Sequence, residues 1–234
     1  MSSPARAGAQ VLVAHGTRKH QGVAMVGALA QRVSQALGQT VHVSFVDVLG
    51  PTPSEVLAGL TRGPVTLVPA FLSRGYHVTS DIPAQVDASG HLDVTVTQAL
   101  GPGPQLVRVL TDRLIESGWR PCDSVILAAA GTSDPSAQRD LHTMATWLSA
   151  VTSSRVELAF AATGTPHVGD AVESLRRRGA RRIVVASYLL SEGLFQDRLR
   201  DSGADVVTDP LGTHHGLVRL IANRFSRARY PVAA

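Results

Sequence analysis

With 234 residues, 44% of them hydrophobic, the chain can bury a substantial core in one large domain or in two halves. The formal charge of +4 is spread along the chain without a basic tail, and aromatics make up only 4%. Both facts argue against a nucleic-acid groove, while a modest arginine excess suits a small polyanionic ligand. The single cysteine, Cys122, rules out an internal disulfide and a cysteine-based zinc cage. With no apolar leader and no run of membrane-spanning length, a cytoplasmic protein that does not engage membranes is expected.

In chain order, short apolar β-rich runs alternate with stretches at helical spacing. Val11–Ala14, Val41–Val46, Val65–Val68 and Val94–Thr97 predict buried parallel strands, and Val23–Leu37, Ser54–Leu60 and Leu106–Ser117 predict the helices among them. After Gly118–Asp123 interrupts the pattern, Val125–Ala129, Val156–Ala161, Ile183–Ala186 and Asp205–Thr208 predict a second set of strands. The expected fold is α/β: two homologous lobes, residues 1–119 and 120–234, each a small parallel sheet flanked by helices, with a few frayed residues at the chain ends.

The halves are repeats of one another. Val11–Thr17 (VLVAHGT) returns as Ile126–Thr132 (ILAAAGT), an offset of 115 residues that also carries Val41, Phe45, Pro51 and Leu60 onto Val156, Phe160, Pro166 and Leu175. Leu100–Arg108 (LGPGPQLVR) returns as Leu211–Arg219 (LGTHHGLVR). Residues common to both copies report on the fold. Residues found in one copy only are candidates for function.

Three polar residues of the first copy stand where open α/β sheets bind ligands, beyond the carboxyl ends of strands. They are His15, Asp47 and His77, and their second-copy counterparts are Ala130, Ala162 and Phe195, or Leu194 if the gap is placed differently. The joint loss of all three from an otherwise retained frame points to one active site, in the first lobe. Two imidazoles and a carboxylate can hold a first-row divalent metal with positions left open, and imidazole also accepts protons near neutrality. Metal insertion into a tetrapyrrole needs both abilities, but so does other chemistry.

His15–Arg18 (HGTR), Phe45–Asp47 (FVD), Pro69–Pro83 (PAFLSRGYHVTSDIP) and the LGxxPxL element resemble the class II sirohydrochlorin chelatases over nearly the whole chain. The most specific block is GYHVTSDIP. The resemblance implies insertion of Fe²⁺ or Co²⁺, as substrate, into sirohydrochlorin for siroheme or cobalamin, without an organic cofactor, by a monomer or homodimer. It implies metal ligation by His15 and His77, with Asp47 as a further ligand or as a proton relay, where many members carry glutamate. Sirohydrochlorin is expected in a cleft between the lobes. Arg18, Lys19 and Arg74 would meet its carboxylates, and Leu189, Leu190, Leu194 and Phe195 would form an apolar wall.

The simpler readings are a strand-end cap for His15, a loop histidine for His77 and an Asx turn for Asp47. Asp81, ahead of Ile82-Pro83, is expected to cap a helix. His214 and His215 are expected in a turn before the last helix with a structural role, and Arg176, Arg177, Arg178, Arg181 and Arg182 as a solvated face. Two rival functions are a metal or tetrapyrrole carrier that does not turn over and a histidine phosphatase. The latter lacks its phosphate-binding arginine, since Ala14 precedes His15.

Overall fold

A computed structural model of the protein describes residues 8–61 and 63–229; the chain ends, where fraying is expected, lie outside the described residues. Two four-stranded, wholly parallel sheets are present. The first contains β1 (Ala9–Ala14), β2 (Val41–Phe45), β3 (Val65–Pro69) and β4 (Val94–Val96), in the order β2-β1-β3-β4. The second contains β5 (Ser124–Gly131), β6 (Val156–Thr163), β7 (Ile183–Tyr188) and β8 (Val206–Val207), in the equivalent order β6-β5-β7-β8. The helices are α1 (His20–Leu37), α2 (Pro53–Gly59), α3 (Ile82–Ala88), α4 (Pro104–Glu116), α5 (Pro135–Thr152), α6 (Val168–Arg177), α7 (Leu194–Arg200) and α8 (His215–Arg229).

The central strands are covered on both faces, so their apolar runs are continuous and not alternating. Val11 to Ala14 are fully buried, as are Ile126 to Ala128. One face of the first sheet (Val11, Val13, Val65, Leu67) packs on Leu57 of α2 and Ile82 of α3. The matching face of the second (Ile126, Ala128, Ile183, Val185) packs on Val168, Ala171 and Val172 of α6 and Leu199 of α7. The fourth strands depart from expectation. β4 is partly to well exposed and β8 has two half-buried residues, whereas the other two edge strands, β2 and β6, are largely buried.

Strand register makes the repeat explicit. Val11 pairs with His42 and Leu67, and its counterpart Ile126 pairs with Glu157 and Val185. The offset is therefore 115 across the first two strands and 118 at the third, which makes Phe195 the counterpart of His77 in the repeat.

The compact units do not coincide with residues 1–119 and 120–234. One unit comprises Met1–Phe71, Tyr76–Leu100 and Val218–Ala234, and the other Leu72–Gly75 and Gly101–Leu217. Helix α4 follows the first four strands in sequence, yet it packs on α5 and β7 in the second unit and buries Leu106, Val107, Val109, Leu110 and Leu114. Most of α8 belongs to the first unit, where Arg224 donates to the Ala99 carbonyl at 3.2 Å. No described helix is long and apolar enough to cross a membrane.

Candidate functional site

His15 is the first residue beyond β1, where the Val46 and Ala70 amides still bond the Ala14 and Val13 carbonyls on either side. The chain then turns so tightly that a Cβ on Gly16 would lie 1.9 Å from the Asp47 carbonyl oxygen. Only glycine permits that approach, and it brings the ends of β1 and β2 together. Asp47 opens a three-residue turn in which Leu49 N–H bonds the Asp47 carbonyl at 2.8 Å and Val48 takes a φ of 69°. A positive φ is costly for a β-branched residue, so this turn holds local strain of the kind found at functional sites. Asp47 Oδ1 accepts the Val48 N–H at 2.7 Å, and Oδ2 lies 4.0 Å from His15 Nε2. Asp47 thus holds its own next amide through one oxygen, one residue short of the Asx turn expected of it, and stands beside His15 through the other.

His77 begins a single π-helical turn, His77–Asp81, closed by the Ile82 N–H on the His77 carbonyl. Such turns recur at functional sites because the extra residue re-aims side chains. Asp81 does not cap α3, since its own backbone is helical and its side chain accepts no cap bond. Its Oδ2 instead accepts from His77 Nδ1 at 2.9 Å. The i,i+4 spacing of His77 and Asp81 is the signal that could have found this pair in the sequence. Two aromatic neighbours, Phe71 and Tyr76, flank the His77 ring at 5.9 Å each, and Tyr76 is largely exposed.

The two histidines meet with ring centroids 5.0 Å apart and planes at 79°. Their tautomers follow from their partners. The Gly16 carbonyl, 2.8 Å from His15 Nδ1, can only accept, and the Asp81 carboxylate is the acceptor for His77 Nδ1. Both rings thus carry hydrogen on Nδ1 and present a lone pair on Nε2, the arrangement that outer hydrogen bonds impose on metal-binding histidines. An ion bonded to His15 Nε2 and Asp47 Oδ2 at about 2.1 Å each, near a tetrahedral angle, wants those atoms about 3.4 Å apart. The observed 4.0 Å needs a closure of roughly 0.6 Å, within reach of side chains about half exposed. The second unit has Ala130, Ala162 and Phe195 at these three positions, so it keeps the frame and offers no ligand atom there.

The other expected site residues divide. Arg18 is exposed and has no side-chain partner among the described residues. Lys19 precedes α1, whose start has no side-chain cap, whereas the equivalent Asp134 caps α5 by accepting from Ser136 and Ala137. Arg74 is engaged in the second unit, where its Nε, Nη2 and backbone N–H all donate to Asp140 at 3.0, 2.5 and 2.9 Å. Phe195 remains partly exposed beneath the Arg198 guanidinium, and Leu194 is exposed, but Leu189 is buried in the core.

Among the described residues, His214, His215 and Asp112 are the group of three whose ligand atoms all lie within 4.8 Å of one another; those of His15, Asp47 and His77 are spread wider. Its chemistry is structural. His214 Nδ1 accepts the Gly216 N–H at 3.1 Å, so the neutral ring has its hydrogen on Nε2, which lies 3.5 Å from Asp112 Oδ2. A cation there would meet an N–H instead of a lone pair, at the positive end of α8. Burial, His215 and Arg113 push the His214 pKa down, against the opposing pull of Asp112 and Glu116. The arginine cluster is largely exposed, Arg177, Arg178 and Arg181 most of all, and four of its members pair with carboxylates: Arg176, Arg177, Arg178 and Arg182 reach Asp205, Glu173, Glu157 and Asp123.

The model of the CbiX family matches residues 9–117 and 124–228, one match for each sequence repeat. The chain is 24% identical to a sirohydrochlorin ferrochelatase of Priestia megaterium over 237 aligned residues, covering 92% of this chain and 88% of that protein. It is 29% identical to a sirohydrochlorin cobaltochelatase of the same organism over 58% of this chain and 48% of that one. Its fold matches that of SirB from Bacillus subtilis with Fe³⁺ at a TM-score of 0.81, with 19% identity and 95% of each chain covered.

Proposed function

Since the chain belongs to the CbiX family, we propose that it is a sirohydrochlorin chelatase that inserts Fe²⁺ or Co²⁺ into the tetrapyrrole through the site of His15, His77 and Asp47. One observation carries the assignment of residues. Two imidazoles with their Nδ1–H groups committed to oxygen acceptors stand 5.0 Å apart with Nε2 free, and the second repeat lacks both. The metal is substrate. His15 and His77 bind it through Nε2 while positions stay open for the four pyrrole nitrogens.

Insertion exchanges one divalent ion for two pyrrole N–H protons, so the site must take up two protons as the metal leaves its protein ligands. Asp47 Oδ2 and the Nε2 atoms freed by the departing metal are the acceptors, and their exposure lets the protons pass to solvent. The substrate's carboxylates are drawn to Arg18 and Lys19, where the uncapped start of α1 adds its positive end. The exposed ring of Tyr76, beside His77, is a further substrate contact.

Anaerobic absorbance of sirohydrochlorin with catalytic amounts of protein and either Fe²⁺ or Co²⁺ tests the reading. Many turnovers that vanish in a His15→Ala, His77→Ala double variant are expected, with each single variant slower by at least ~10²-fold. A spectral change that stops at one equivalent would make the protein a carrier. Wild-type rates in both single variants would remove the histidines from the mechanism.

A further inference from the structure

We propose that Asp140, with Tyr188, is a positioning residue for the metal-binding histidine His77, a role that rests on the assignment of His77 above. The chain leaves the first unit after Phe71, runs through the second as Leu72–Gly75, and returns at Tyr76, one residue before His77. Within the second unit that four-residue segment is pinned at two points. The Leu72 carbonyl accepts the Tyr188 hydroxyl at 2.8 Å, and the approach is so close that a Cβ on Gly101 would lie 2.1 Å from the same carbonyl oxygen. The Arg74 backbone N–H donates to Asp140 Oδ2 at 2.9 Å, and its guanidinium forks onto both oxygens of that carboxylate.

Both anchors are buried. The Asp140 side chain is 2% exposed and Tyr188 is 2% exposed. A carboxylate removed from water must have its charge matched and its lone pairs filled, and Arg74 does both. The preferred conformation of residue 74 is thereby tied to a rigid partner on α5, 66 positions away in sequence. His77 is three residues further along a covalent chain whose next turn is itself closed by the Ile82 N–H and the His77–Asp81 bond.

By the register offsets, Asp140 corresponds to Met25 and Tyr188 to Ala70 of the first copy, and Arg74 to Glu192 of the second. These groups occur once, as do His15, Asp47 and His77.

The second unit also supplies a matched control. Asp123 is equally buried, accepts one backbone N–H, from Arg120 at 2.8 Å, and pairs with one arginine, Arg182, but it holds no segment leading to His77. Co²⁺ titration without tetrapyrrole, followed by visible absorbance, is compared for wild type, His77→Ala, Asp140→Asn and Asp123→Asn, alongside thermal melting and the kcat and KM for chelation. Both aspartate variants are expected to lose comparable stability. Asp140→Asn alone weakens Co²⁺ binding, by about tenfold or more, and lowers kcat, as loss of an outer support does at metal sites.

Unchanged Co²⁺ affinity in folded Asp140→Asn, or equal weakening in Asp123→Asn, overturns the proposal. Wild-type protein whose Co²⁺ binding does not depend on His77 overturns the metal-site reading and this role with it. Should Asp140→Asn fail to fold, Tyr188→Phe carries the test, because it keeps the ring and removes only the bond to Leu72. Wild-type Co²⁺ affinity and kcat in that variant then overturn the proposal.

Discussion

The sharpest perturbation of the histidine site adds one methyl group, in Gly16→Ala. Its Cβ would lie 1.9 Å from the Asp47 carbonyl oxygen, while real Cβ contacts stay at 3.0 Å or more, so the two backbones must separate by about 1.1 Å. Neither side yields easily. Ala14 is tied to Val46 by the last ladder bond, and Asp47 is tied to Leu49 by its turn. Separation carries Asp47 away from His15, when metal binding wants their 4.0 Å gap to close. Overpacking of this kind costs about 1–3 kcal/mol, and each kcal/mol lowers the melting temperature of a chain this size by roughly 2–4 °C. A misplacement near 1 Å costs on the order of 10²-fold in rate. The repeat again provides a control. In Gly131→Ala the Cβ would lie 1.9 Å from the Thr163 carbonyl oxygen, at a φ of 103° that alanine also resists. Melting curves, Co²⁺ titration and chelation rates should show both variants destabilised and only Gly16→Ala weakened in metal affinity. Wild-type kcat/KM and melting in Gly16→Ala, or equal loss of Co²⁺ affinity in both, would refute the reasoning.

Removing the acceptor for His77 Nδ1–H, in Asp81→Ala, should weaken Co²⁺ binding about 10- to 100-fold while melting changes little, because Asp81 does not cap α3. His214 is buried with its pKa lowered below 6.5, so the unfolded chain binds that proton more readily. Its contribution to stability is complete above pH 6.5 and declines as pH falls through the folded-state value. A His214→Ala variant should lose about 1 kcal/mol at neutral pH, lose that segment of the pH dependence, and keep the wild-type Co²⁺ stoichiometry. Retention of the same pH slope would show that another group produces it. Asp205 has its pKa held below 3.8 by Arg176 and by the Ile183 N–H. Its stabilisation is therefore present above pH 3.8 and lost as pH falls through the folded value, and Asp205→Asn should narrow its gap to wild type in acid. A gap unchanged down to pH 2 would count against that pairing.

What the sequence by itself determined rests on short-range signals. Buried strands such as Val11–Ala14 and Ile183–Ala186 are legible because a doubly covered parallel strand must be apolar at every position. The repeat is legible because two copies of one frame keep the same apolar and glycine positions, and comparing them isolates His15, Asp47 and His77. The resemblance carried by GYHVTSDIP agrees with the family match to both copies. Tertiary structure decided what depends on residues far apart in the chain. The Arg74–Asp140 pair spans 66 positions, and no local pattern tells an arginine meant for a buried carboxylate from one facing solvent. Asp81 carries a helix-cap signature, but the π-helical turn rotates its carboxylate onto His77 instead. Helix α4 has the periodicity of any amphipathic helix, and periodicity says which face is apolar but not which sheet will cover it. That choice is made by packing, since burial is rewarded wherever complementary apolar surface is found.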